Sequence, residues 1–252
     1  MQIIIFLIFI VTPVFAWYKF CSWQDRAEPE PKKLLLKTFF LGVLAAFLIA
    51  LFEYYLGQVF LGPNAKDVLT ITNLENHSIG LAGFILLASA GFIEETGKFL
   101  FLKGYIYDKT DFNQIADGVF YAISLALGFS FLENIFYFID FANYGGTLFL
   151  VAGAAVRGLF STTLHVLATS ISGLALGRKK FRVPRPWVNI FLAVLLASCL
   201  HAAYNVLIQF GAVGVLAAFL LLVLAFSYIV KAINKQESKI IWRLITPVPK
   251  AP

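Results

Sequence analysis

Charge is scarce in this sequence: of 252 residues only 13% are Asp, Glu, Lys or Arg, while 60% are hydrophobic. Soluble domains carry roughly 25% charged residues, so a water-soluble fold is excluded. Cysteine is almost missing. Cys21 and Cys199 are the only two, and their separation matches no metal or redox spacing. Cys199 falls in an apolar run and is expected to pack there; Cys21 lies beside one. There is no Lys or Arg ahead of the first apolar run, Ile3–Phe20, although Val14-Phe15-Ala16 resembles a signal-peptidase site. The positives stand at its end or after it: Lys19, Arg26, Lys32, Lys33 and Lys37. That asymmetry predicts a retained signal-anchor span at 3–20 with its N-terminus outside. No internal repeat is visible, which leaves a repeat-built transporter plan without support.

What the chain does have is long apolar runs. After the polar, proline-punctuated linker Asp25–Pro31, they cover Leu34–Leu61, Ile79–Leu102, about Ile115–Ile139, Thr147–Leu176, about Trp187–Phe210 and Val213–Val230. Each is long enough to cross a bilayer. The expectation is an all-α, polytopic transmembrane helical bundle of about seven spans: one integral domain over 1–252 with a cytoplasmic tail at 231–252. The net charge is +6, and the positives gather in loops, above all Arg178–Arg185. With the N-terminus outside and the C-terminus cytoplasmic, every basic cluster falls on the cytoplasmic side. The outer loops 62–78, 140–146 and 211–214 then hold a single lysine, Lys66. Such a charge pattern serves membrane lipids and topology and argues against a nucleic-acid partner.

Against this background the polar residues at membrane depth stand out. Glu94 and Glu95 share the run Gly91–Lys98 with Lys98, about 12–14 Å deep at 1.5 Å per residue. A carboxylate at that depth costs about 2.5–3.5 kcal/mol on insertion scales, so the pair needs partners or a water-filled cavity. Glu94 and Lys98, four apart, share a helix face; this makes Glu94 the structural member of the pair and Glu95 the preferred base. Glu133, Asn134 and Tyr137 lie in the next span, with Glu133 and Tyr137 on one face. Arg157, Ser161 and His165 follow at intervals of four, then His201, Tyr204 and Asn205. Arg157 requires an acidic partner, for which the glutamates are candidates. Each group alone reads as ordinary interhelical hydrogen bonding; four neighbouring spans with a polar group near the midplane point to a site. Asp117 is expected to be an interfacial cap and Glu53, followed by Tyr54-Tyr55, a snorkelling residue in the outer aromatic belt. His77 falls in an outer loop and is expected to take no catalytic part.

The ordered set Glu94-Glu95-x-x-Lys98, Asp117-Gly-Val-Phe-Tyr121, Leu127-Gly-Phe-x-x-x-Glu133-Asn134-x-x-Tyr137, Arg157 with His165, and Leu200-His201-x-x-Tyr204-Asn205 resembles the PrsW family of bacterial membrane proteases. The likeness extends to the Pro-rich acidic linker and Phe39-Phe40-Leu41-Gly42 and covers roughly residues 18–208. The resemblance implies an intramembrane or membrane-proximal peptidase, distantly related to the CAAX prenyl endopeptidases. It further implies site-1-type cleavage of a single-pass membrane substrate such as an anti-sigma factor, at the bacterial plasma membrane. By the same resemblance Glu94, Glu95, His165 and His201 are site residues. The chain departs from the CAAX pattern where Phe129-x-x-x-Glu133 stands in place of Phe-x-x-x-His; His201 and Asn205 match the later His-x-x-x-Asn.

Chemically, carboxylates and imidazoles in a membrane cavity suit general acid–base work on water. The expected catalytic set is Glu94, Glu95, His201, His165 and Glu133, supported by Asn134, Asn205, Lys98, Arg157 and Tyr137, with Asn205 orienting a partner or binding an oxyanion. Either no cofactor is required or a divalent metal such as zinc is held by groups from several spans, since no His-Glu-x-x-His helix exists. The same residues could instead form the proton relay of a proton-coupled transporter, or belong to a non-catalytic membrane scaffold.

Overall fold

A computed structural model describes residues 1–25, 28–61, 81–144, 146–181 and 186–245. The 62–80 loop with Lys66 and His77, together with Arg182, Arg185 and Lys250, lies outside the described residues. Each expected apolar run is a helix: α1 (Gln2–Gln24), α2 (Lys32–Leu61), α3 (Leu81–Ile106), α4 (Asp117–Tyr144), α5 (Thr147–Lys180), α6 (Pro186–Leu207) and α7 (Gly211–Ile245). A single 3₁₀ turn, Ile208–Phe210, joins the last two. It ends at Gly211, whose φ of +62° costs glycine little.

Among the described residues five stretches are long and apolar enough to cross a membrane, the last being the 50-residue Trp187–Gln236 that takes in both α6 and most of α7. Helix α3 is not one of the five; Glu94, Glu95 and Lys98 interrupt its apolar sequence. The outer surface is apolar, as lipid requires: Phe47, Leu48 and Leu51 on α2, Phe191, Leu192 and Leu196 on α6, and Leu216, Leu220 and Leu224 on α7 are all exposed. The sequence expectations for cysteine are corrected here. Cys199 is exposed, whereas Cys21 is buried and belongs to the main hydrophobic cluster.

Helices α3, α4, α5 and α6 pack around the polar interior, with α2 closing the side between α3 and α4. Small residues allow the closest crossings. A Cβ on Gly42 of α2 would lie 1.9 Å from the Leu125 carbonyl oxygen of α4, and one on Gly128 would lie 1.8 Å from the Phe39 carbonyl oxygen. The Phe39–Gly42 and Leu127–Phe129 motifs are therefore two halves of one backbone contact. Gly91 of α3 similarly faces the Ala202 backbone of α6, 2.7 Å from a would-be Cβ. That crossing brings Glu94 and Glu95 alongside His201, one residue from Ala202.

Candidate active site

Lys98 sits at the centre of the polar interior. Its ammonium donates to Glu94 Oε2 at 3.1 Å, to Glu95 Oε1 at 2.8 Å and to His165 Nδ1 at 2.7 Å, and lies 4.0 Å from the Phe129 ring centroid. The expected division of the glutamates by helix face is thus not what the fold makes. Both carboxylates reach Lys98, because the side chains at i+3 and i+4 converge on one ammonium.

The two imidazoles have opposite tautomers by the same reasoning. Lys98 donates to His165 Nδ1, which leaves the ring proton on Nε2, and Nε2 lies 2.7 Å from Glu133 Oε2. His201 Nδ1 is 3.0 Å from Glu95 Oε1; the carboxylate only accepts, so Nδ1 carries the proton and Nε2 keeps its lone pair. That Nε2 is 3.9 Å from Glu94 Oε2, and His165 Nδ1 is 3.7 Å from the same oxygen. Glu94, His165 and His201 bring ligand atoms within 4.8 Å of one another; a metal there would take the place of the Lys98 ammonium on His165 Nδ1 and Glu94 Oε2. The rings cross edge-to-face, 4.9 Å between centroids.

A carboxylate stands behind each ring. Glu133 is also held by Arg157, whose Nη2 is 2.8 Å from Glu133 Oε2. Arg157 stacks 3.9 Å from the Tyr137 centroid and donates from Nε to Asn134 Oδ1 at 3.1 Å; Asn134 in turn donates to Thr162 Oγ1 at 2.9 Å. Arg157 lies in a π-helical turn, Val156–Ser161. The wider turn leaves Gly158 against α1, where a Cβ would come within 1.7 Å of the Phe9 carbonyl oxygen. Glu95 takes a further hydrogen bond from Thr169 Oγ1 at 3.0 Å. Thr169 was missed in the sequence, although it lies four residues after His165 and so on the same face. Glu95, Lys98, His165 and Thr169 are fully buried, and Glu94 and His201 nearly so.

One expected member, Asn205, stands elsewhere, and Asp117, expected as an interfacial cap, holds the loop before its helix. Asn205 donates from its amide to the Leu87 carbonyl oxygen at 3.3 Å and ties α6 to α3. Asp117 accepts from the backbone N–H groups of Asn113 and Gln114 at 2.8 and 2.7 Å, pinning the loop before α4.

The arrangement fits a divalent metal by the chemistry of its donors. Two imidazoles and one carboxylate are a common zinc set, and the second ring nitrogen of each imidazole lies beside a carboxylate oxygen, 2.7 Å for His165 and 3.0 Å for His201, where the outer support of such ligands usually stands. The fold and this centre define a polytopic membrane protein built around a buried acid–imidazole site. The chain matches the family described as PrsW family intramembrane metalloprotease over residues 30–231. It is 30% identical to Protease PrsW of Bacillus subtilis (strain 168) over 196 residues, 77% of this chain and 78% of that protein. It is likewise 30% identical to Protease PrsW of Geobacillus kaustophilus (strain HTA426) over 197 residues, 77% of this chain and 76% of the relative. Protease PrsW of Oceanobacillus iheyensis (strain DSM 14371 / CIP 107618 / JCM 11309 / KCTC 3954 / HTE831) is 28% identical over 199 residues, 79% of this chain and 80% of the relative. No solved structure gives a significant match. The chain belongs to the PrsW family: it is a membrane protease, multi-pass in the cell membrane.

Proposed function

We propose that this protease hydrolyses a peptide bond in a single-pass membrane protein, such as an anti-sigma factor, at a metal centre held by Glu94, His165 and His201. The observation that carries the reading is the convergence of these three side chains within 4.8 Å, with a carboxylate behind each imidazole. A metal bound there would polarise the scissile carbonyl and lower the pKa of water. Glu95, engaged by Lys98, Thr169 and His201, orients His201; it is not the base. Glu133 takes that role. Its contacts to Arg157 and His165 both use Oε2, and its side chain lines a cavity shared with Glu94. Oε1 accepts a proton from the attacking water as the water oxygen bonds to the carbonyl carbon. The same proton passes to the amide nitrogen as the C–N bond breaks. Lys98 and Arg157 balance the carboxylate charge throughout. The whole chain forms one catalytic domain, N-terminus outside and C-terminus cytoplasmic, so a reporter fused after Pro252 reads as cytoplasmic.

The test is cleavage of a single-pass substrate by protein reconstituted in liposomes, with metal content measured on the same samples. Glu94→Gln and His201→Ala are expected to lose both cleavage and bound metal. Unchanged cleavage in both variants would end this reading.

A further inference from the structure

Glu53 has no part in the site as described so far. Its neighbours Tyr54 and Tyr55 are exposed as an outer belt requires, but Glu53 does not snorkel with them. It turns inward, a correction to the expectation from sequence, and lines a cavity of about 30 Å³ together with Glu94 and Glu133. Its Oε1 is buried and makes no hydrogen bond among the described residues.

We infer that Glu53 is a positioning residue whose carboxylate holds the water of this cavity against Glu133 and Glu94. The inference rests on the hydrolytic site proposed above. A buried carboxylate oxygen without a partner is costly, so the cavity needs an occupant that donates hydrogen bonds. Its volume suits roughly two water molecules at about 10–15 Å³ each. Helix α2 recesses the wall for them: Ala50 and Ala46 precede Glu53 by three and seven residues on the same face, and both line the cavity. Phe129 and Phe136 complete the lining, so the three carboxylates are the polar side chains through which water is held. Glu53 does not belong to the group of ligating atoms within 4.8 Å. One ion does not span all three carboxylates, whereas bridging water does. A bilayer supplies no water at this depth, and a hydrolase working there needs a place that retains it.

The experiment compares kcat and KM for a single-pass substrate in liposomes, with bound metal measured by elemental analysis. Glu53→Leu removes the acceptor and is expected to lower kcat about tenfold or more, with KM and metal content unchanged. Glu53→Gln keeps an acceptor oxygen and is expected to retain most of kcat. Ala50→Leu, which fills the cavity and leaves Glu53 in place, is expected to reproduce the kcat loss, and it decides the matter should Glu53→Leu fail to fold. Parent-level kcat in Glu53→Leu or in Ala50→Leu overturns the inference, as does an equal loss in Glu53→Gln and Glu53→Leu. His201→Ala is run alongside. If it is inactive while Glu53→Leu is not, the water-holding role fails alone; if it too cleaves normally, the proposed site fails with it.

Discussion

Two regions of this protein bury carboxylates, and they handle the charge in opposite ways. In the interior, Glu94, Glu95 and Glu133 meet Lys98, Arg157 and two imidazoles. At the linker between α1 and α2, Asp25 and Glu30 are buried, as is Asp117 at the start of α4. There Tyr121 donates its hydroxyl to Glu30, the Glu30 N–H donates to Asp25 Oδ2 at 2.8 Å, and Glu28 accepts from Asn113 and Gln114. The linker cluster relies on a proton where the interior relies on cations. Burial pushes the Glu30 carboxyl up from 4.5 to about 9, the Tyr121 hydroxyl opposing and the nearby Asp117 and Asp25 adding to the rise. Acidic residues that keep their charge by fixed cations remain available as hydrogen-bond acceptors for catalysis; those that hold a proton serve to dock a loop.

This contrast can be broken most forcefully at Arg157. Arg157→Met removes the cation but leaves Glu133 buried, at a cost of about 3–5 kcal/mol; the melting temperature and cleavage rate should both fall, and Glu133→Gln in the same background should restore stability without restoring cleavage. A smaller effect is expected from Glu95→Gln. Because Glu95 stands behind His201, metal affinity should drop about 10–100-fold, measured by titration, while Glu94→Gln abolishes binding.

The smallest effect tests the proton in the linker. Glu30 binds a proton more tightly when folded than when unfolded, since its folded value of about 9 exceeds 4.5. Its contribution to stability is therefore complete below about pH 4.5 and is lost as the pH rises toward about 9. Glu30→Gln, which stays neutral and still accepts from Tyr121, should flatten this slope in a pH series of thermal melts and raise stability at the alkaline end. Unfolding curves with the same pH slope in parent and variant would remove the proton from the linker's account.

Much of the interior was legible in the chain itself. Each glutamate, histidine or arginine inside an apolar run reads alone as ordinary interhelical hydrogen bonding, but polar groups near the midplane of four neighbouring spans already pointed to a site. Helical spacing also put Thr169 on the His165 face, a signal that was present but unread. Glu53 misled because two tyrosines follow it and a residue beside an aromatic belt is ordinarily interfacial. The linker is polar and proline-punctuated in the sequence, and nothing in it shows that Glu30 is buried under Tyr121. The Asp117–Tyr121 motif resembled a family pattern, and only the packing of that loop against α4 gives Tyr121 a partner.

The sequence by itself determined the class of this protein, its helices and the depth of its polar groups. These follow from hydrophobic run length and a fixed rise per residue, which are local quantities. Tertiary structure decided which groups touch. Lys98 binds both glutamates and His165, Glu95 takes His201, Glu133 takes His165 and Arg157, and Glu53 faces a cavity. Those pairings depend on the rotation of each helix about its axis and on how closely two helices approach. Both are set by contacts such as Gly42 with Leu125, Gly128 with Phe39 and Gly91 with Ala202, between residues distant along the chain.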